Sequence, residues 1–454
     1  MTAATASDAE SLSCAIAGRY AGRWARSVAR PAAADEEGDP RGLWFIDGFA
    51  GADLQRAALR GASAKPAALA AIQALDEAAA GLARIILIEE DPGLLGRLSE
   101  ELDTLGVIDR VRVASDPAKA APGEILLIEA PFASAAGWVA EAIGDEPALV
   151  RLAPLAARSL PWTALEPIAQ RKCTDVLLRF PREDFEKQAR FTGPLADLPP
   201  HLRRVVEGCS QLLGDARHGW LLAWRHVQRN AGPDATLAAM LERMQALLAS
   251  AGDERFTHAL RVEGKGDAVH LLLSTAHPEH ALELNGASVD GGAKQKPASR
   301  RRSSAPKPAD AAAPAPAPTD SASADPAPEV VAEPAAPEPA AAVLDLFALA
   351  PEPEPEPGGP DLAAFADELH ARHVGARVPV REVLAGVADS GLTPEQVRTA
   401  LALLKRAGRA ACRSLDADGA EVEFLAQPRV SAPRPRKPRK PAPGELGLFD
   451  EPEE

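Results

Sequence analysis

The chain has 454 residues, enough for two or three domains, but its 42 prolines and 4% aromatic content indicate that part of it lies outside packed cores. A formal net charge of −15 excludes a protein that coats nucleic acid along its whole length. The cysteines lack CxxC spacing, which excludes a zinc ribbon and a disulfide framework. The acidic N-terminus and the lack of any apolar run of about 20 residues predict a cytoplasmic protein without signal peptide or membrane span.

Residues 1–285 alternate short apolar runs with helical stretches. The runs predicted to be strands buried on both faces are Leu43–Asp47, Arg84–Glu89, Glu124–Glu129, Ala148–Leu152 and Asp175–Phe180. The predicted helices include Ala67–Ala80, Pro92–Leu105 and Trp162–Arg171. Strand–helix alternation of this kind favours an α/β domain with a mostly parallel sheet. Thr257–Glu263 and Ala268–Thr275 are predicted to end that sheet as two strands.

The composition changes near Gly286, where Ala, Pro, Ser and Glu begin to dominate. Residues 286–360 are predicted to be a disordered linker, because such a segment buries too little apolar surface to offset its ordering entropy. A globular pattern resumes over residues 361–427, and residues 428–454 form a second tail that is predicted to be disordered.

The strongest candidate site in the first domain follows the first predicted strand. Ligands of open α/β sheets bind at the carboxyl ends of the strands, and the turn Asp47-Gly48-Phe49-Ala50-Gly51 lies there. Glu89 ends the next strand, where an acid can accept hydrogen bonds from a ribose diol. Asp116 would contact an adenine amino group or serve as a turn residue. The alternative is that the glycines only make a tight turn and that Glu89 is solvated.

Several stretches in series resemble one family. They are FIDGFAG, RGASAKPAALAAI (Arg60–Ile72), IILIEEDPGLLGRLSEEL, SLPWTALEPIAQRKCTDVLLRFP (Ser159–Pro181) and AVHLLLSTAHPEHALELN (Ala268–Asn285). Over most of residues 12–285 the chain is similar to the three-Cys-motif partner (TcmP) family. The resemblance implies a Rossmann-like, methyltransferase-type fold and a three-Cys-motif protein as partner. It also implies S-adenosylmethionine as cofactor, held by Asp47, Gly48, Phe49, Ala50, Gly51, Glu89 and Asp116.

Two departures from the family pattern concern chemistry. Ala52-Asp53 replaces a second loop glycine, and Arg151–Leu155 (RLAPL) stands where the family has Asp-Pro-aromatic-Gly. A second alignment uses Glu129–Phe132 (EAPF) instead. Since an acid-Pro-aromatic turn orients the target nitrogen in amino-methyltransferases, two hypotheses follow. The chain is either a methyltransferase acting on nucleic acid or a non-catalytic adaptor. His277 and His280 are predicted to form a turn rather than a metal site, and no metal is expected.

The region 361–427 is predicted to be a small winged-helix-like α+β domain. Helices are expected over Asp361–His373 and Val380–Ala388, and Thr393 and Pro394 are an N-cap and first residue typical of a third. A hairpin is expected from Arg409–Leu415 and Glu421–Leu425. Either this module contacts nucleic-acid phosphates or it contacts protein while its basic residues are solvated. The phosphate-binding candidates are Arg398, Lys405, Arg406, Arg409, Arg413, Arg436 and Lys437.

Two short apolar motifs flank the module. Val343–Phe347 (VLDLF) lies in the predicted linker and Glu445–Phe449 (ELGLF) in the tail. Both resemble the sliding-clamp-binding peptide of bacterial DNA repair proteins, although each lacks the leading Gln. Apolar residues in a disordered tract are typical docking anchors, so the clamp is a candidate partner.

Overall fold

The computed structural model describes residues 8–29, 42–61, 65–79, 81–187, 197–252, 255–264, 267–290, 360–415 and 420–426. The two clamp-like motifs, Val343–Phe347 and Glu445–Phe449, lie outside the described residues. So do the tail cations Arg436 and Lys437.

An eight-stranded sheet organises the first 290 residues. Its strands are β1 (Leu43–Asp47), β2 (Ala83–Glu89), β3 (Val111–Val113), β4 (Ile125–Glu129), β5 (Ala148–Leu152), β6 (Thr174–Arg179), β7 (Phe256–Glu263) and β8 (Ala268–Thr275). Their order is β3-β4-β2-β1-β5-β6-β8-β7. All pairs from β3 to β6 are parallel, and β8 is antiparallel to both of its neighbours. The predicted α/β architecture with a mostly parallel sheet is therefore confirmed, and it is compatible with a Rossmann-like fold.

The helices of this region cover both faces of the sheet. They are α1 (Ala9–Ala29), α2 (Ala52–Arg60), α3 (Ala67–Ala79), α4 (Pro92–Thr104), α5 (Phe132–Ile143), α6 (Trp162–Ala169), α7 (Arg182–Lys187), α8 (Pro200–Leu212), α9 (Gly219–Ser250) and α10 (Glu279–Val289). The long α9 is kinked at Gly232, whose φ of 82° breaks the helical path. The last helix, α10, extends past residue 285, where the sequence pattern places the end of the domain.

The central strands are buried on both faces, which explains their unbroken apolar runs. In β1, Trp44 and Ile46 pack into the core beneath α5 and α6, while Leu43 and Phe45 pack beneath α1 and α3. The sequence pattern does not predict α1, which lies close against α3. A Cβ atom on Gly18 of α1 would come within 2.5 Å of the Ala70 Cβ, so the two helices pack through small residues.

Residues 360–415 and 420–426 form a module of three helices and three short strands. Its helices are α11 (Leu362–His373), α12 (Val380–Ala385) and α13 (Pro394–Arg406), and its strands are β9 (Arg377–Pro379), β10 (Ala410–Ala411) and β11 (Glu421–Phe424). The antiparallel sheet has the order β10-β11-β9. The predicted start of α13 is confirmed, because the Thr393 hydroxyl accepts from the Gln396 amide at 3.2 Å and the Gln396 side chain accepts from the Thr393 amide.

The module packs against α10 of the sheet domain. Leu282 of α10 is fully buried and belongs to the apolar core of the module. Asn285 Nδ2 donates to the Leu392 carbonyl oxygen at 3.3 Å, and Arg23 of α1 lies 3.5 Å from the Glu395 carboxylate. The described residues on both sides of the predicted linker thus form one compact unit.

Within the residues that the structure describes, no helix combines the length and the apolar character needed to cross a bilayer.

Candidate functional site

The candidate site lies where the strand order reverses. The chain leaves β1 toward β2 and β4 on one side and returns on the other side as β5, so the carboxyl ends of β1 and β5 flank the switch point at which such sheets bind ligands. The loop 48–51 follows β1, and the turn Ala153-Pro154 follows β5. By contrast, Glu129 ends β4 and pairs in register with Glu89, so that acid does not border β1.

Every backbone N–H of the loop 48–51 donates a hydrogen bond to an acceptor within the protein. Gly48 N donates to the Arg151 carbonyl at 3.0 Å, and Ala50 N to the Ile88 carbonyl at 3.0 Å. Phe49 N donates to the Asp47 carboxylate at 3.1 Å, and Gly51 N to the Glu89 carboxylate at 2.9 Å. The loop therefore has no free N–H with which to bind the carboxylate or phosphate of a ligand.

The loop glycines are needed for close packing of protein side chains. A Cβ atom on Gly48 would lie 2.6 Å from the ring of Phe132 and 2.7 Å from Leu152. A Cβ atom on Gly51 would lie 2.6 Å from the Glu89 carboxylate. Phe132, which opens α5, also packs against Phe49 with 5.6 Å between ring centroids. The space beside the glycines is thus occupied by protein atoms.

An arginine from β5 joins two carboxylates across the switch point. Arg151 donates to Asp47 at 2.6 Å through NH1 and to Asp53 at 2.8 Å through NH2. Asp47 is completely buried, and the side chains of Asp53 and Arg151 are 3% and 7% exposed. A buried pair of this kind gains enough attraction to offset desolvation only when its hydrogen bonds are well formed, as they are here. Asp53 also accepts from the Ala67 amide at 3.0 Å, which ties the site to α3.

A second arginine closes the turn after β5. Arg56 of α2 donates to Asp53 at 2.8 Å, and its NH2 group donates to the carbonyl oxygens of Ala153 and, at 2.8 Å, Pro154. These carbonyls lie in the turn that would orient a target nitrogen in an amino-methyltransferase. The turn's acceptors are therefore already bonded to a cation of the protein.

The network continues to the N-terminal helix. Glu10 of α1 lies 3.3 Å from Arg56 and accepts from Arg179 of β6 at 2.9 Å. Arg179 also donates to Glu183 at 2.8 Å. We call the residues Glu10, Asp47, Asp53, Arg56, Arg151 and Arg179 the crevice network. Its members come from α1, β1, α2, β5 and β6, so it links the carboxyl ends of β1, β5 and β6 to two helices.

The two aspartates of the crevice network differ in proton affinity. Burial raises the pKa of both, but Arg151 and Arg56 together outweigh this at Asp53 and bring its pKa to about 2. Burial raises the pKa of Asp47 above the usual range, since Arg151 offsets burial only in part and the Asp53 charge adds to the rise. Arg151 itself stays charged, because the attraction of Asp47 and Asp53 exceeds its desolvation and raises its pKa.

The other two predicted cofactor contacts lie apart from this network. Glu89 at the end of β2 accepts from the amides of Gly51 and, at 3.0 Å, Asp91, and burial raises its pKa in spite of these bonds. Asp116 caps a short 3-10 helix by accepting from the Ala118 amide at 3.0 Å. Of the predicted cofactor contacts, Asp47, Phe49, Gly51 and Glu89 lie close together. Asp116 instead serves as a turn residue, which was the alternative interpretation of the sequence.

A separate buried cluster surrounds His280 under α1 and α10. Its Nδ1 lies 2.7 Å from Asp175 of β6, which also accepts from the hydroxyls of Tyr20 at 2.8 Å and Thr275 at 2.6 Å. Burial alone would lower the pKa of His280, but the Asp175 carboxylate raises it above the usual value, and the His280 cation in turn lowers the pKa of Asp175.

Asp175, His280 and Ser27 lie in the sequence of contacts found in an acid–His–Ser catalytic triad, but the hydrogen bond of the serine hydroxyl differs. The Nε2 atom of His280 lies 3.2 Å from Ser27 Oγ, but that hydroxyl donates its hydrogen to the Trp24 carbonyl at 2.7 Å. A serine nucleophile must instead give its proton to the histidine. The cluster therefore anchors α10 to the sheet. The turn predicted over His277–His280 reaches only to Pro278, because Glu279 and His280 are the first two residues of α10.

The predicted phosphate contacts of the module fall into two groups. Arg409 is half-buried and bonded to Asp367 and His370, and the Nε atom of Arg398 is buried without a partner. In contrast, Lys405, Arg406 and Arg413 are exposed. None of these three has an ion-pair partner in the described part of the chain.

No model of a known protein family matches this chain, and comparison with curated proteins finds no match either. Over the described ranges, no three His, Cys, Asp or Glu side chains gather in a way that could hold a metal ion.

The sequence reasoning singled out Asp53 and Arg151 as departures from a pattern, but it did not connect them. It missed Glu10, Arg56 and Arg179. One signal was available: Arg151 interrupts a strand that is otherwise apolar and buried on both faces, and a buried arginine requires a carboxylate partner.

Proposed function

We propose that this chain is a divergent protein of the three-Cys-motif partner type that works as a non-catalytic adaptor. In this proposal the methyltransferase-type sheet domain is a scaffold, and the winged-helix-like module at its end makes contacts with nucleic acid beside a three-Cys-motif partner.

One observation carries the proposal. The positions that would hold the methyl donor and orient the acceptor are occupied by the crevice network, in which Arg151 spans Asp47 and Asp53. Removing a partner from a buried ion pair is strongly destabilising, so these side chains do not readily turn toward a ligand.

S-adenosylmethionine does not fit the residues at the methionine end of this site. Its carboxylate would need free backbone N–H donors in the loop 48–51, and all of them are bonded internally. Its amino group would need an unpaired acceptor, but Asp47 and Asp53 already neutralise Arg151.

Calorimetric titration of the full chain with S-adenosylmethionine tests the proposal. We expect no saturable heat up to millimolar ligand and no rise in the unfolding temperature, which a ligand specific for the folded state would cause. Glu89→Ala serves as the matched variant and should behave identically. Saturable binding that Glu89→Ala abolishes would contradict the adaptor function.

The second candidate is methyl transfer to nucleic acid from S-adenosylmethionine, and one observation favours it. Glu89 ends the strand beside β1, and its carboxylate oxygens, which accept from the Gly51 and Asp91 amides, have further lone pairs that could accept from a ribose diol. This candidate predicts binding in the titration and transfer of a labelled methyl group to nucleic acid.

A further inference from the structure

We propose that the exposed cations Lys405, Arg406 and Arg413, here called the cationic end of the module, bind the phosphate backbone of duplex nucleic acid without recognising base sequence. The inference rests on the proposed adaptor function, because it assigns the contact through which the adaptor would meet nucleic acid.

The module is electrically polarised along α13. Its acidic end faces the sheet domain, where Glu395 lies 3.5 Å from Arg23 and Asp389 lies 3.8 Å from His258. Lys405 and Arg406 occupy the last turn of α13, at the opposite end of a helix of 13 residues. With a rise of about 1.5 Å per residue, the two ends are roughly 15–20 Å apart. Lys405 and Arg406 are therefore separated from the Glu395–Arg23 contact by most of the length of α13.

The docked arrangement prevents α13 from reading bases as a recognition helix does. Helix-turn-helix proteins contact base edges with residues near the N-terminus of that helix. At the start of α13, the N-cap Thr393 and Pro394 are buried. Glu395 is paired with Arg23, and its negative charge would repel phosphates. The remaining contact is therefore with phosphates, which position a protein on nucleic acid but give no sequence information.

The surroundings of the cationic end favour a nucleic acid over an acidic protein. Protein interfaces rely on a few large apolar or aromatic anchors at their centre. Between residues 394 and 415, all of them described, no large hydrophobic side chain is exposed. A surface with exposed cations and no anchor suits a row of phosphates. Because each contact between a cation and a phosphate releases condensed counterions from the nucleic acid, the affinity should fall steeply as the salt concentration rises.

Fluorescence anisotropy of two labelled duplexes of unrelated sequence, titrated with the full chain between 50 and 200 mM KCl, tests the inference. Three phosphate contacts give a slope of about −2.7 in log affinity against log salt, which is roughly a 40-fold loss over this range. Both duplexes should bind equally. The variant Lys405→Gln/Arg406→Gln/Arg413→Gln should lose this affinity at every salt concentration.

The matched control changes three exposed cations of the sheet domain, Arg26→Gln/Arg97→Gln/Lys172→Gln, and it should bind like the unaltered chain. Equal weakening by both triple variants, a preference for one duplex, or salt-independent binding would overturn the inference. So would binding that survives in the cationic-end variant but disappears when residues 428–454 are removed. Binding of a polyglutamate peptide without binding of either duplex would also overturn the inference. The calorimetric titration with S-adenosylmethionine is independent of this result, so a failure to bind duplex does not by itself contradict the proposed adaptor function.

Discussion

The carboxyl edge of the sheet and the α10 surface under the C-terminal module are both closed by the protein itself, but by different forces. At the carboxyl edge, three arginines and three carboxylates of the crevice network are buried together. At α10, the contact combines the buried apolar side chain of Leu282 with a buried hydrogen bond from Asn285 and with the Arg23–Glu395 ion pair at its partly exposed rim. Opening the first leaves buried charges without partners, while opening the second exposes the apolar side chain of Leu282. Breaking the crevice network should therefore cost more free energy than separating the module from α10.

Replacing Arg151 tests the first half of this contrast and should have the largest effect. Arg151→Met leaves Asp47 buried without its cation and should lower the free energy of unfolding by about 3–5 kcal/mol. Urea denaturation of the full chain measures this loss. Arg151→Met combined with Asp47→Asn is the control and should recover part of the stability, because Arg56 still neutralises Asp53. A loss below about 1 kcal/mol in the single variant would show that the network does not hold the crevice closed.

Truncating Leu282 tests the second half. Leu282→Ala creates a cavity between α10 and the module and should cost about 2–4 kcal/mol, within the range for a buried leucine. Val289→Ala on the same helix, where the side chain is 44% exposed, is the control and should change stability little. Urea denaturation followed with limited proteolysis of residues 360–426 would show whether the module is released first. Equal losses of unfolding free energy in the two variants would show that Leu282 does not stabilise the contact between α10 and the module.

The pH dependence of the α10 anchor should give the smallest effect. The pKa of His280 is raised in the folded protein above its ordinary value of 6.5, so its stabilising contribution is complete below pH 6.5. That contribution is lost as the pH rises through the higher folded pKa. His280→Gln should therefore flatten the curve of unfolding free energy on the alkaline side of pH 6.5, and His277→Gln, whose side chain is 51% exposed, should not. An unchanged curve in His280→Gln would mean that the Asp175–His280 pair does not fix α10.

Much of the sheet could be predicted because its central strands are apolar on both faces. Strand β5 matches its predicted bounds, β2 and β4 differ from theirs by one residue at one end, and β6 begins and ends one residue earlier than predicted. The start of α13 was predictable for a local reason, since a Thr N-cap and Pro at the first helical position act within a few residues. Helix α1 was missed, because its contact with α3 depends on small residues that lack a strong apolar stripe.

The closure of the site could not be predicted, because it depends on contacts between distant parts of the chain. Glu10 and Arg179 are 169 residues apart, and Arg151 and Asp47 are 104 apart. The chemistry of each residue is visible in the sequence, but its partner is chosen by the topology that places β5 beside β1. The docking of the module on α10 has the same origin, since no local pattern links Asn285 to Leu392 across 107 residues.

The sharing of Arg151 between Asp47 and Asp53 also constrains how this protein can change over evolutionary time. A substitution at any one of the three positions passes through a protein with an unbalanced buried charge, so single steps toward an open crevice are disfavoured. Their effects should be strongly non-additive, with paired changes tolerated better than either change alone. In a lineage that has this arrangement, the three positions should therefore change together rather than one mutation at a time.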